Sequence, residues 1–153
     1  AEPKVVHGST SFISGYREEC HKKRRTLRTR VLYLHAEEPD ERAADALRLD
    51  PGQQATRLTR VRHLENVNGN APVVYTTVSV PLALFPDMCP LDFTAASLYD
   101  ALDRKGLSVA RASRRLEVVM PPAEVARELH IGSFEPAVFI SSTGYTKLGQ
   151  AVE

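Results

Sequence analysis

Residues 53–81 read QQATRLTRVRHLENVNGNAPVVYTTVSVP. Two runs of alternating side chains flank NVNGN, where Asn68-Gly69 favours a tight turn with positive φ, so the stretch reads as a long β-hairpin. Alternation places Leu58, Arg60, Arg62 and Leu64 on one face of the first strand, and Thr59, Val61 and His63 on the other. The face with the leucines is the core face, yet it carries two arginines. A buried guanidinium is expensive unless it is paired, so these side chains meet internal carboxylates such as Glu117 or Glu153, are exposed by a bulge in the strand, or are kept for a charged ligand. Two forked guanidiniums about 7 Å apart on one strand face can share a single phosphate or carboxylate.

Helices and further strands surround the hairpin. Ser11 can cap a helix in which Phe12, Tyr16 and Cys20 recur every fourth residue before the basic run HKKRR. TLRTRVLYLHAEE has strand composition, and PDERAADALRLDPG reads as a helix capped by Asp40 and stopped by Gly52. After the hairpin, SLYDALDRKG and PPAEVARELHIG read as helices alternating with the strands in LSVARASRRLEVVM and EPAVFISSTGY, and KLGQ turns into a strand that has barely begun. Hairpins mixed with short helices imply an α+β fold with a largely antiparallel sheet. ERAADALRLDPGQQATRLTR is faintly echoed by AEVARELHIGSFEPAVFISS, which is either an internal repeat or two uses of a common helix-strand unit.

Composition narrows the function classes. The 153 residues, 42% hydrophobic and 25% charged, suit one globular domain, and 20 basic against 19 acidic residues argue against coating nucleic acid by bulk charge. Cys20 and Cys89, the only cysteines, are too few for a disulfide framework and are read as free thiols. There is no run of about 20 apolar residues and no signal-peptide order at the start, so a cytoplasmic protein without a membrane partner is expected. The five histidines lack metal-ligand spacing, so no metal and no cofactor is expected. No GxSxG, P-loop or GxGxxG motif occurs. CHKKRRTLRTR reads as a solvated helix end followed by an exposed strand face rather than a DNA contact.

TRVRHLENVNGNAPVVYTTVSVP, LFPDM, SLYDALDRKG, ASRRLEVVMPPAEVARELHI and GYTKLGQAVE, taken in order, resemble the UTRA domain. This is the effector-binding half of a HutC-like subfamily of GntR-type bacterial transcription regulators, with a chorismate-lyase-like fold. The resemblance covers residues 11–153, leaving 1–10 as an interdomain linker. It implies an excised sensor, not an enzyme, with the winged-helix DNA-binding domain absent from this chain and DNA reached only through that domain. It also implies a homodimer, for which YTTVSV offers a mixed face that makes an intermolecular contact or covers the core.

The resemblance assigns the arginine pair as well. Arg60 and Arg62 map onto the R-x-R strand that holds an anionic group in sugar-phosphate-sensing members. Ser97, which also caps its helix, maps onto a serine contacting the effector phosphate, and Tyr99 is placed to line the pocket. GQAVE matches G-x-P-I/V-E, so Glu153 inherits the role of accepting hydrogen bonds from the effector, at a position prone to fraying. Thr76 stands where many members have an acidic residue, and Ser11 and Ser14 match the N-terminal serine and threonine positions loosely. The expected ligand is a small anionic metabolite such as a sugar phosphate or carboxylate. The alternative is a chorismate-lyase-like enzyme in which the arginines hold a dicarboxylate and Glu153 serves as acid.

Overall fold

The hairpin forms the middle of the molecule. In the computed structural model, which describes residues 5–7, 26–66 and 69–153, β3 (Ala55–Asn66) and β4 (Gly69–Pro81) run antiparallel with Leu58 opposite Val78 and Arg60 opposite Thr76. Asn66 pairs with Gly69, and Asn68 of the expected Asn68-Gly69 turn lies outside the described residues. Gly69, at φ 128°, still supplies a conformation that other residues avoid. The register slips between Arg62, opposite Val74, and His63, opposite Pro72. Pro72 has no N–H for the ladder, and a bulge accommodates it.

The remaining elements are β1 (Val5–His7), β2 (Thr26–Glu37), α1 (Glu41–Leu47), α2 (Leu98–Arg104), β5 (Arg111–Val119), α3 (Ala123–Glu128) and β6 (Ala137–Tyr145). They complete an α+β fold around one sheet of order β2-β3-β4-β1-β6-β5, antiparallel except where β1 lies parallel to both neighbours. Val5–His7, within the stretch read as a linker, is thus a sheet strand. The helix read over Ser11 to Cys20, with Ser11 and Ser14, lies outside the described residues. In β2, Arg28 and Arg30 are exposed and pair with Glu65 and Glu128, as a solvated strand face requires.

Each face of the sheet is buried differently. The even-numbered side chains of β3 and β4, among them Leu58, Val78 and Val80, pack against Phe85, Met88, Phe93, Leu98, Ala101, Leu102 and Leu107 from the 82–107 segment. On the opposite face, α1 and α3 cover Tyr75 and Phe139, with Leu129 and Ala137 at the centre of a smaller cluster. YTTVSV lies in central strand β4, with Thr76, Val78 and Val80 buried on the core side.

The echo in the sequence is a structural repeat. Arg48, which caps the end of α1, and His130, just past the Leu129 cap of α3, both take the left-handed conformation, φ 55° and φ 53°. The following N–H reaches back equivalently, from Leu49 to the Ala44 carbonyl at 2.9 Å and from Ile131 to the Ala126 carbonyl at 3.0 Å. Glu37 faces Ala55 across β2 and β3 as Val119 faces Ala137 across β5 and β6. The stop of α1 is therefore Arg48 rather than Gly52. An αL closure completes the backbone hydrogen bonding of the helix end even without glycine.

Candidate functional site

In the two repeats, Leu58 corresponds to Ile140, Arg60 to Ser142 and Arg62 to Gly144. The exchange of side chains at these positions builds the site. Arg60 is 1% exposed, with its guanidinium 6.0 Å from the centre of the Phe93 ring. Beneath it, the buried Thr76 hydroxyl donates to the Arg60 carbonyl at 3.5 Å. The hydroxyl thus braces the strand. Arg62 is half-buried at the bulge.

Glu153 enters from the second repeat. After β6 the chain reverses through a tight turn in which Gly149 N–H meets the Thr146 carbonyl at 3.0 Å and Thr146 N–H meets that of Gln150 at 2.9 Å. Gly144 N–H then donates to the Glu153 carbonyl at 3.0 Å, and Val152 N–H to the Gly144 carbonyl at 2.9 Å, so Glu153 is anchored instead of frayed. Gly144 is required for closeness: a Cβ there would stand 2.8 Å from Glu153 Cγ and 3.1 Å from Val109 Cγ1. The Glu153 carboxyl is 6% exposed, and the Tyr99 hydroxyl donates to its Oε1 at 2.6 Å. Its Oε2 has no hydrogen-bond partner among the described residues. Burial pushes its pKa up to about 7, against the opposing pull of the Tyr99 hydrogen bond and the positive charges of Arg114 and Arg60.

The structure thus brings Tyr99 onto Glu153 and sets Arg60 within electrostatic reach of the same carboxyl. Ser97 caps α2, its hydroxyl accepting from Asp100 N–H at 3.4 Å, and does not line the main cavity. Glu117, considered as a partner for the arginines, instead pairs with Arg115 at 3.0 Å on strand β5.

The cavity itself, of about 440 Å³, lies between β4 and β6. Strand β1 bridges these strands at Val74 and Tyr75 on one side and Val138 to Ile140 on the other. Beyond that bridge the cavity is walled by Tyr75, Thr77 and Ser79 of β4 and by Ser141 and Thr143 of β6, and it reaches Glu153. Arg42 of α1 lies over Phe139 at its margin, 5.7 Å from the ring centre. Of the expected site residues that are described, only Glu153 borders it. The alternating hydroxyls in YTTVS and ISSTG were the available signal for these walls. Gly144 and Phe93 carried none, because their roles depend on contacts distant in sequence. Among the described residues no group of three His, Cys, Asp or Glu side chains gathers in a metal-like cluster, and no helix is long and apolar enough to cross a membrane.

Comparison with known proteins identifies this architecture. The UTRA domain family matches residues 22–153. The effector domain of PhnF from Mycobacterium smegmatis superposes with a TM-score of 0.78 at 20% identity, covering 98% of this chain and 86% of that one. Full-length PhnF from the same organism gives 0.81 at 21% identity and 99% of this chain, which spans 65% of that protein. The C-terminal domain of the histidine utilization repressor from Pseudomonas syringae gives 0.70 at 23% identity, covering 83% of this chain and 86% of that domain. None of the curated proteins compared matches the chain. With the family match running over most of its length, and with the fold of the effector domains of GntR-type regulators, the chain belongs to the UTRA domain family.

Proposed function

We propose that this UTRA domain senses a small anionic metabolite such as a sugar phosphate or carboxylate. Arg60 and Arg62 grip its charge, Ser97 assists from the start of α2, and Tyr99 and Glu153 read a polar group. The observation that carries the reading is the burial of two ionisable side chains, Arg60 and Glu153, within electrostatic reach of each other, with Glu153 also bordering the cavity of about 440 Å³. A volume of that size fits a metabolite. Thr76, whose hydroxyl is tied to the Arg60 backbone, holds the arginine strand in place, and Ser11 and Ser14 contribute from upstream. The similarity to regulator domains favours a sensor over a lyase-type enzyme.

On this reading DNA is bound by a separate winged-helix domain, and the effector acts by preferring one arrangement of the two domains. The regulator works as a homodimer, matching a two-fold symmetric operator. A thermal-shift panel of phosphorylated sugars, amino-acid derivatives and carboxylates tests the sensing role. A ligand at about 100 times its Kd adds about 2.7 kcal/mol to the folded state. Stabilisation by one class of anion is expected, and a flat response to every anion overturns the reading.

A further inference from the structure

Strand β5 (Arg111–Val119) is one edge of the sheet, and Leu116, Val118 and the following Met120 stand on one face, 64%, 75% and 60% exposed. The repeat makes this exposure informative. Leu34, the counterpart of Leu116 in the first copy, packs against the core built by the 82–107 segment. Among the described residues nothing equivalent covers Leu116. The opposite edge, β2, is guarded by Arg28, Arg30 and a bulge between Val31 and Tyr33, the usual devices against edge pairing. Strand β5 carries nine residues without a bulge in its pairing to β6 and with an apolar stripe.

The geometry points to β5 as the surface on which a second copy of this chain docks, antiparallel, with Leu116 on the two-fold axis. This deepens the homodimer reading above and rests on it. In a continuous sheet with the axis perpendicular to it, directly opposite residues share a face, so the axis must pass through a residue. Centring on Leu116 sets Arg115 opposite the Glu117 of the other copy, and the same pair recurs by symmetry. Centring on Arg115, Glu117 or Val118 brings no opposite charges together, and centring on Arg114, which sets Arg111 opposite Glu117, also sets the two Arg114 side chains directly against each other. Within one chain Arg115 and Glu117 already lie 3.0 Å apart with Arg115 71% exposed, so both charges are available at the edge. Two copies joined this way form one twelve-stranded sheet, and the two Leu116 side chains cover each other beside Val118.

The test uses the 153-residue chain with Cys20 and Cys89 changed to serine. At tens of micromolar, sedimentation is expected to report a dimer. Oxidation is expected to link Leu116→Cys across the axis, where Cβ atoms approach within disulfide reach, and to leave Ser113→Cys, opposite Val119, unlinked. Arg115→Glu and Glu117→Arg should each lower the dimerisation constant at least tenfold, and the double reversal should restore it, with every variant keeping the parent's circular dichroism spectrum. A dimer in which Leu116→Cys stays unlinked overturns this surface while leaving the homodimer intact. A monomer at every concentration overturns both. Linkage at Leu116 without any response to the charge variants keeps the register and overturns the Arg115–Glu117 pair as what selects it.

Discussion

Glu153→Gln isolates the energetic role of the buried carboxyl. The folded pKa of Glu153 is raised from 4.5 to about 7, chiefly by burial. A group whose folded pKa is raised binds its proton more tightly in the folded state, so its stabilising contribution is complete below pH 4.5 and is lost as pH rises through 7. The full shift corresponds to about 3 kcal/mol, of which about 2.5 kcal/mol falls between pH 5 and pH 8. His63 works the other way: burial first, then the charges of Arg30 and His130, lower its pKa, so its contribution is lost as pH falls. The pH profile of the unmodified chain alone therefore mixes two signs. Subtracting the profile of Glu153→Gln, which keeps an acceptor for the Tyr99 hydroxyl but cannot ionise, removes the His63 part. Urea unfolding of both chains from pH 5 to pH 8 should show the variant gaining on the parent by about 2.5 kcal/mol, or roughly 5 to 10 °C in melting temperature. Parallel profiles would mean that the carboxyl is solvated in solution and that the burial argument is wrong.

Further outcomes follow from the same geometry. Arg60→Met and Arg62→Met keep the apolar stems and remove the forked donors, so titration calorimetry with the anion found by thermal shift should show affinity falling by about 2 kcal/mol, near thirtyfold, with a smaller loss of apo stability. A collapsed melting temperature with unchanged affinity would make both arginines structural. Gly144→Ala should cost about 1 to 3 kcal/mol by denaturant unfolding, since the new Cβ would lie 2.8 Å from Glu153 Cγ, and should dislodge the carboxyl with it. Arg48→Gly should stabilise by about 0.5 to 1 kcal/mol, because Arg48 holds φ 55° in an exposed helix end. Phe93→Ala should cost about 3 to 5 kcal/mol and loosen Arg60, measured as lost stability and weaker anion binding together.

Much of this fold was written locally. The hairpin, the short helices and the strands at TLRTRVLYLHAE, RASRRLEVV and AVFISSTGY announced themselves by period and caps, which depend on neighbours within a few residues. Val5–His7 did not, because three residues are too few for a period and their strand is defined only by the β4 and β6 backbones. The stop of α1 was misplaced at Gly52 because glycine is the commoner left-handed residue, and Arg48 adopts that conformation under the hydrogen bonds of the helix end. The alternation of β3 foretold that Arg60 points into the core. That Glu153 sits within its field, through a space only Gly144 leaves open, depended on tertiary packing. The cap role of Ser97 was legible in SLYD and is observed, whereas a contact of the same hydroxyl with an anion is a second use that local sequence does not separate from capping.

Strand β4 is a partition with a different tenant on each side. Its even positions, Val74, Val78 and Val80, are committed to packing, and its odd positions, Tyr75, Thr77 and Ser79, form cavity wall. Variation at the odd positions can reshape what the cavity accepts without disturbing the core, whereas variation at the even ones is felt as stability before it is felt as preference. Thr76 breaks the division, a polar residue on the committed side whose hydroxyl is tied to the Arg60 backbone. A lineage drifting toward a new ligand would therefore record its history in every second residue of one strand.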